Sequence, residues 1–388
     1  MRKGLIHGSV TLIVVCVIVV LMLPSWVEDS MNVVLRDETW PVGSRAQTLH
    51  NNLRVADLHA DTMLWNRDFL TRGSIGHVDL PRLQQGNVVL QVMSVVTKSP
   101  SGQNYERNSS DAADTITTLT VVQLWPMRTW SSLLERARYQ AQRLHRFAER
   151  SPDLRVITSA AELKGFLSGY QSGQVATLLA TEGAHPLEGD LGNLRVLFDD
   201  GYRMLGLQHF FDNEIGGSLH GESNEGLTEF GRQVVKAAVA MGYIIDVAHS
   251  SPATVDDVLA LIDDPVVVSH TGLQGACDSP RNLTDQQMQK IAAAGGLIGV
   301  GFWDAVCNIT PQGVAQSIKY AVDLLGVDHV ALGSDYDGST TVTFDAGDLA
   351  VLTQALLDVG LSEADIRQVM GENQLAFLAR HLPQATDS

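Results

Sequence analysis

The chain of 388 residues is predicted to be an α/β protein of the (β/α)8 TIM barrel class. Three observations lead there. From Leu53 onward, short apolar runs alternate with amphipathic stretches, the pattern of parallel strands covered by helices. Eight such runs can be counted, over a length that suits a barrel with insertions. Ligand-type side chains then recur at the C-terminal ends of the runs, where barrel enzymes carry their chemistry. A doubly wound open sheet is the alternative, but no Gly-x-Gly-x-x-Gly turn follows the first run, which counts against a dinucleotide site.

The elements follow in chain order. Arg2 and Lys3 precede an apolar run from Val10 to Leu23, which Pro24 and Ser25 close and acidic Glu28 and Asp29 follow. Basic residues before and acidic residues after the run predict an N-in orientation with the rest of the chain exported. No small-x-small cleavage site follows, so residues 1–28 read as an uncleaved signal anchor, with a cleaved signal peptide and a secreted product as the alternative. Residues 29–50 are polar and mixed and are expected to tether the catalytic barrel at 51–388. Localisation is therefore expected at a membrane, with the barrel on the periplasmic or extracellular side.

The strand candidates are Leu53 to Leu58, Val88 to Val95, Val175 to Ala180, Arg203 to Leu207, Tyr243 to Val247, Val266 to Ser269, Leu297 to Gly301 and His329 to Gly333. Helix starts stand between them. Ser251-Pro252 and Thr310-Pro311 place a cap before a proline at the first helical position, and Thr284 or Asp285 caps another. Gly242 and Gly326 mark helix ends. The segment at 97–130 is long for a barrel connection and carries Trp125 and Trp130; it is expected over the active face or at an interface.

Composition narrows the function. With 45% hydrophobic and 18% charged residues the balance is that of an ordinary globular domain. A formal net charge of -17 without any Lys/Arg run argues against nucleic acid as a partner. Of three cysteines, Cys16 lies in the apolar run; Cys277 and Cys307 are either a disulfide in an oxidising compartment or two buried thiols.

The candidate site is read from the strand ends. His59 and Asp61 are two residues apart on one strand, so their side chains share a face. An imidazole beside a carboxylate suits zinc. Glu182, His209, His249, His270 and Asp335 end later strands. Three histidines, one aspartate and one glutamate exceed what one catalytic zinc takes from protein. They suit two metals bridged by Glu182, about 3.5–4 Å apart and able to activate one water or hydroxide between them. His209 could instead bind substrate. Asp57 and Asp337 are read as supports for loops or ligands. His77, His145, His185, His220 and His329 are read as structural or surface groups, and Asp263-Asp264 as a solvated helix end.

His59-Ala60-Asp61, Glu182-Gly183, His209, Ala248-His249-Ser250, Ser269-His270, Arg281-Asn282 and Gly333-Ser334-Asp335-Tyr336-Asp337-Gly338 together resemble the renal (membrane) dipeptidase family of the amidohydrolase superfamily. The resemblance implies a zinc-dependent dipeptidase that often accepts a D-residue at the C-terminal position of a free dipeptide. It implies one Zn2+ on His59 and Asp61, another on His249 and His270, and Glu182 as the bridge. His209 would contact the scissile carbonyl, Arg281 the substrate carboxylate, and Asp335 would shuttle the proton. It also favours the Cys277–Cys307 disulfide and allows a homodimer. The chain departs from the mammalian pattern in its polar C-terminal tail, in the 97–130 segment, and in Phe302-Trp303 where a tyrosine is expected. A binuclear hydrolase of another amide or lactone is the rival enzyme; a silent peptide-binding barrel is the rival outside enzymology. The Arg281 assignment disfavours the first and the mutually repelling carboxylates the second.

Overall fold

All eight apolar runs form strands in the computed structural model, which describes residues 22–36 and 38–384. The strands are β2 (Val55–Ala60), β3 (Val88–Val96), β5 (Val175–Glu182), β6 (Tyr202–Gly206), β7 (Ile244–Asp246), β8 (Val267–Thr271), β9 (Leu297–Val300) and β10 (Val330–Leu332). Each pairs in parallel with its neighbours in the ring β2-β3-β5-β6-β7-β8-β9-β10. The ring closes where Leu332 of β10 faces Asp57 of β2. β4 (Leu154–Val156) adds beside the start of β5. β1 (Val33–Val34) and β11 (Thr341–Val342) form a separate two-stranded pair.

Every residue of β2, β3 and β5 is buried, which is why these strands read as continuous apolar runs instead of alternating ones. One apolar cluster joins strands to the surrounding helices. A second gathers residues such as Leu58, Val92, Leu178 and Met204 from all eight ring strands, so it fills the barrel. Phe377 and Leu378 of the helix Asn373–His381 belong to it. That helix covers the N-terminal end, where Gln374 donates to the carbonyl of Ala56 at 2.9 Å.

The helix signals take the expected forms. Ser251 accepts from the amide of Thr254, ahead of Pro252, and Thr284 forms a reciprocal capping box with Gln287. Gly242 ends its helix with φ 93°, a conformation that costs glycine little.

Two segments differ from their expected form. Residues 29–50 are packed on the barrel over much of their length. Val33–Val34 pairs with β11, Arg36 reaches Asp345 at 2.7 Å, and the helix Ser44–His50 lies against the helix Ala350–Asp358. The 97–130 segment contains a helix, Thr115–Val122, and is pinned from beneath by buried Arg136 of the helix Leu133–Arg150. Arg136 donates to the carbonyls of Thr97 and Thr129 at 2.6 and 2.7 Å and pairs with Asp114. The apolar run at 10–23 lies outside the described residues except for its last two. Among the described residues, no helix is long and apolar enough to cross a membrane.

Candidate metal centre

The ends of the strands bring the candidate donors to one point. His249 Nε2 lies 3.0 Å from His270 Nε2 and 3.1 Å from Glu182 Oε1. His270 Nε2 is 3.4 Å and His59 Nε2 3.7 Å from the same oxygen. His59 Nε2 lies 3.4 Å from Asp61 Oδ2 and 3.9 Å from Asp335 Oδ1. His209 Nε2 is 3.5 Å from Glu182 Oε1. Glu182 is therefore the common neighbour of all four imidazoles.

Local backbone geometry makes this convergence possible. His249 and Asp335, each just past a strand end, have φ of 62° and 59°. This left-handed conformation is strained for residues with a Cβ and recurs at functional sites. Gly338 leaves room between the carboxylates: a Cβ there would strike Asp335 and Asp61.

A surrounding layer orients the donors. The Ser269 hydroxyl lies between two of them, 2.9 Å from His270 Nδ1 and 3.2 Å from His59 Nδ1. Asp246 accepts from the amides of Ala248 and Ser269, both at 3.0 Å, fixing the backbone beside His249 and His270. Asp57 does the same near His59, accepting from the Ser334 amide at 2.9 Å. The carbonyl of Lys98 accepts from His209 Nδ1 at 3.2 Å, which leaves Nε2 facing Glu182.

The donor set fits a pair of divalent cations. Three overlapping groups, His59/Asp61/Glu182, Glu182/His209/His249 and His59/His270/Asp335, have ligand atoms within 4.8 Å of one another. His59 Nε2 and Asp61 Oδ1 are buried without a hydrogen-bond partner among the described residues. Two imidazole nitrogens facing each other at 3.0 Å likewise suit a shared cation. The electrostatics agree. Burial raises the carboxyl of Asp335 well above its usual range, and Asp61 and Glu182 add to it. Burial also raises Asp61, with Glu182 again contributing. Glu182 goes the other way: burial opposes ionisation, but His209, His59 and the bonds from His249 and His270 hold it well below its usual range. Burial, reinforced by Arg281, keeps His249 and His270 neutral, the form in which imidazole binds metal, whereas against burial Asp61 and Glu182 hold His59 well above its usual range, a proton that a bound cation would displace. Asp335 falls in one of the donor groups, so its carboxylate is within reach of a metal as well as of a proton.

The donors open into a cavity of about 490 Å³ that Arg281, His209 and Tyr105 also line. Arg281 is buried, donates through Nη2 to the carbonyl of His270 at 3.0 Å, and keeps Nη1 unpartnered among the described residues. It follows β8, across the ring from β3, whose loop supplies Ser99, Ile116 and Leu119 to the opposite wall. Cys277 and Cys307 are joined in a disulfide with Cα atoms 6.1 Å apart, which closes the loop that carries Arg281.

Some contributors were invisible in the sequence. Tyr105 comes from the 97–130 segment; burial and Asp335 push its hydroxyl up to about 12. His220, read as remote, is buried beside the centre, its ring 5.0 Å from Phe210 and 5.4 Å from His249. No spacing marks either residue. Asp246 carried a faint signal, an acid inside an apolar strand. His77, His145 and His329 stay outside the site, hydrogen-bonded to backbone groups; His185 stacks on Phe211.

Comparison with known proteins identifies the family. The membrane dipeptidase family (Peptidase family M19) matches residues 43–382. Dipeptidase ataJ of Aspergillus terreus is 29% identical over 374 residues, covering 86% of each chain. Dipeptidase aclJ of Aspergillus oryzae is 28% identical, covering 89% of this chain and 84% of its own. A metallopeptidase from Rhodobacter sphaeroides, solved with a phosphinate mimic of the dipeptide L-Ala-D-Ala, superposes with a TM-score of 0.68. It is 25% identical, covering 85% of this chain and 99% of its own. The chain belongs to the membrane dipeptidase family.

Proposed function

We propose that this member of the membrane dipeptidase family is a zinc enzyme that cleaves free dipeptides and accepts a D-residue at the C-terminal position. The observation that carries the reading is the convergence of His59, Asp61, His249 and His270 on Glu182, with a buried guanidinium nearby whose Nη1 has no partner among the described residues. His59 and Asp61 would hold one Zn2+, His249 and His270 the second, and Glu182 both. When bound, such a pair supplies Lewis acidity and lowers the pKa of an attacking water towards neutrality.

The protein's own groups do the rest. Arg281 offers a planar two-pronged donor to the substrate's free carboxylate. A lactone or internal amide would leave that guanidinium buried and unanswered, which favours free dipeptides over such substrates. Asp335 takes the proton of the attacking water and returns it to the leaving amine; its raised pKa suits a carboxyl that alternates between acid and base. His209 donates its Nε2 proton to the carbonyl oxygen as negative charge develops there. Because Nδ1 is committed to Lys98, this donation requires the imidazolium form. The acceptance of a D-residue draws support from the mimic bound to the Rhodobacter sphaeroides relative. The apolar run at 10–23 anchors the chain, with the barrel on the exported side.

The test is a metal count joined to a substrate screen. Protein produced with zinc is expected to carry two metals per chain and to hydrolyse L,D and L,L dipeptides. Far fewer than two metals, or no turnover of any free dipeptide by metal-loaded protein, overturns the reading.

A further inference from the structure

The exposed large apolar side chains are not scattered. Among the described residues there are nine, and eight fall in two segments, 22–35 and 121–130. They include Met22, Trp26, Met31, Leu124, Met127 and Trp130, with Leu124 67% and Met127 73% exposed. The ninth, Leu191, is near the second segment, since Glu188 accepts from the amide of Leu133 at 2.6 Å. Single exposed apolar residues are ordinary, but a concentration of this kind marks a contact surface. Residues 115–127 also lack any charged side chain, in a chain whose net charge is -17. Leu124 holds its side chain out from a left-handed backbone, φ 56°.

The two segments meet at the mouth of the catalytic cavity. Val27 and Met31 of the first, Val122 of the second and Leu119 just before it line the cavity. Met31 does so while 41% exposed.

The course of the chain identifies what covers this surface. The apolar run ends at Leu23. Four residues later Val27 packs against the cluster of Leu64, Trp65, Val96, Ile116 and Trp125. The next residue, Glu28, is buried and paired with Arg67. Residues 22–31 are helical, so these four positions span only ~6 Å. No slack separates the end of the run from the cavity wall. A run lying in a bilayer would hold the mouth at the bilayer surface, where Trp side chains such as Trp26 and Trp130 are at home.

We infer that the apolar rim formed by segments 22–35 and 121–130 docks on the lipid bilayer, so that the catalytic cavity opens at the membrane surface. The inference rests on the anchoring role of the apolar run and not on the hydrolytic chemistry.

Full-length protein with Cys16→Ser provides the background for the test, since Cys277 and Cys307 are bonded to each other. Leu124→Cys, Met127→Cys and Ser172→Cys are labelled separately with a polarity-sensitive fluorophore and reconstituted into phosphatidylcholine vesicles carrying a nitroxide-labelled lipid. Ser172 is exposed in the turn before β5, at the other end of the barrel. Labels at 124 and 127 are expected to be quenched about twofold or more, as for groups reaching ~5–10 Å into the interface, and the label at 172 not at all. Melting curves confirm that each variant folds, and two rim positions guard against the loss of one. Protein that floats with the vesicles but shows no more quenching at 124 and 127 than at 172 overturns the docked rim. Protein that fails to float overturns the anchor and the docking with it. Quenching that appears only between two labelled copies assigns the rim to self-association and overturns the bilayer. Dipeptide turnover is read on the same samples; its absence would count against the catalytic reading and leave the docking result standing.

Discussion

Asp335 and Asp337 stand two residues apart on one turn after β10, both buried, both with left-handed backbone, and they have opposite electrostatic characters. Around Asp337 every demand is met. Its carboxylate accepts from Thr62 at 2.8 Å and from the His77 amide at 2.6 Å, and it pairs with Arg67, which also holds Glu28. Burial opposes the charge and is the largest single influence, but Arg67, His77 and the bonds from the His77 amide and Thr62 together keep Asp337 below its usual range. Around Asp335 the neighbours are Asp61 and Glu182, and the carboxyl is driven up. The lesson is that a buried carboxylate with its cation in place holds the structure together, whereas one set among other carboxylates is poised for an external cation and for proton transfer. The Asp337 network also fastens the N-terminal segment to the barrel through Glu28.

Exchanging the two aspartates in turn tests this contrast. Asp335→Asn is expected to cost the most, ~10²–10⁴-fold in turnover, with folding intact and both metals retained because the amide keeps an oxygen donor. Turnover near wild type would remove Asp335 from proton transfer, and a lost metal would recast it as a ligand. Asp337→Ala should do the reverse. Removing one of the two carboxylates that pair with buried Arg67, and leaving it only Glu28, costs up to about 3–5 kcal/mol of stability, measurable by urea unfolding, while turnover per folded molecule changes little. An unchanged midpoint would show that the network is not structural.

Arg281→Ala is expected to raise KM for free dipeptides about 10–100-fold and to leave amidated dipeptides, which lack the carboxylate, no worse than before. Equal effects on both would remove Arg281 from carboxylate recognition. The smallest effect concerns a buried imidazole far from the centre. His50, bonded through Nδ1 to Thr353 at 2.9 Å, is lowered by burial to about 4 from an ordinary value near 6.5. Between these values the unfolded chain binds a proton that the folded chain does not. His50 therefore withholds no stability above pH 6.5 and destabilises the fold progressively as pH falls from 6.5 towards 4. His50→Gln should reduce the slope of stability against pH in that window by about one proton. An identical slope would show that His50 titrates normally in the folded chain.

How much of this was legible beforehand follows from the range of each interaction. The strands were readable because a barrel strand buried on both faces must be apolar along its length, and the caps because a helix end needs local partners. The donors were readable because each stands where its own strand stops. By contrast, Tyr105 and His220 reach the centre only through the path of long segments, and the expected tether at 29–50 gave no sign that Arg36 would find Asp345. The pairing of Arg67 with Glu28 on one side and with Asp337 on the other brings together residues from opposite ends of the chain, a relation that composition cannot encode.

The sequence by itself therefore determined the barrel, its strand ends and the identity of the donors, because these depend on local periodicity and on residue type. Only the tertiary structure decided that four imidazoles share one carboxylate, that Asp335 is unsatisfied while Asp337 is neutralised, and that an apolar rim surrounds the cavity mouth. Those properties depend on which charges and surfaces face each other across the closed ring, and at distances of a few ångströms it is the neighbour, not the residue, that sets the chemistry.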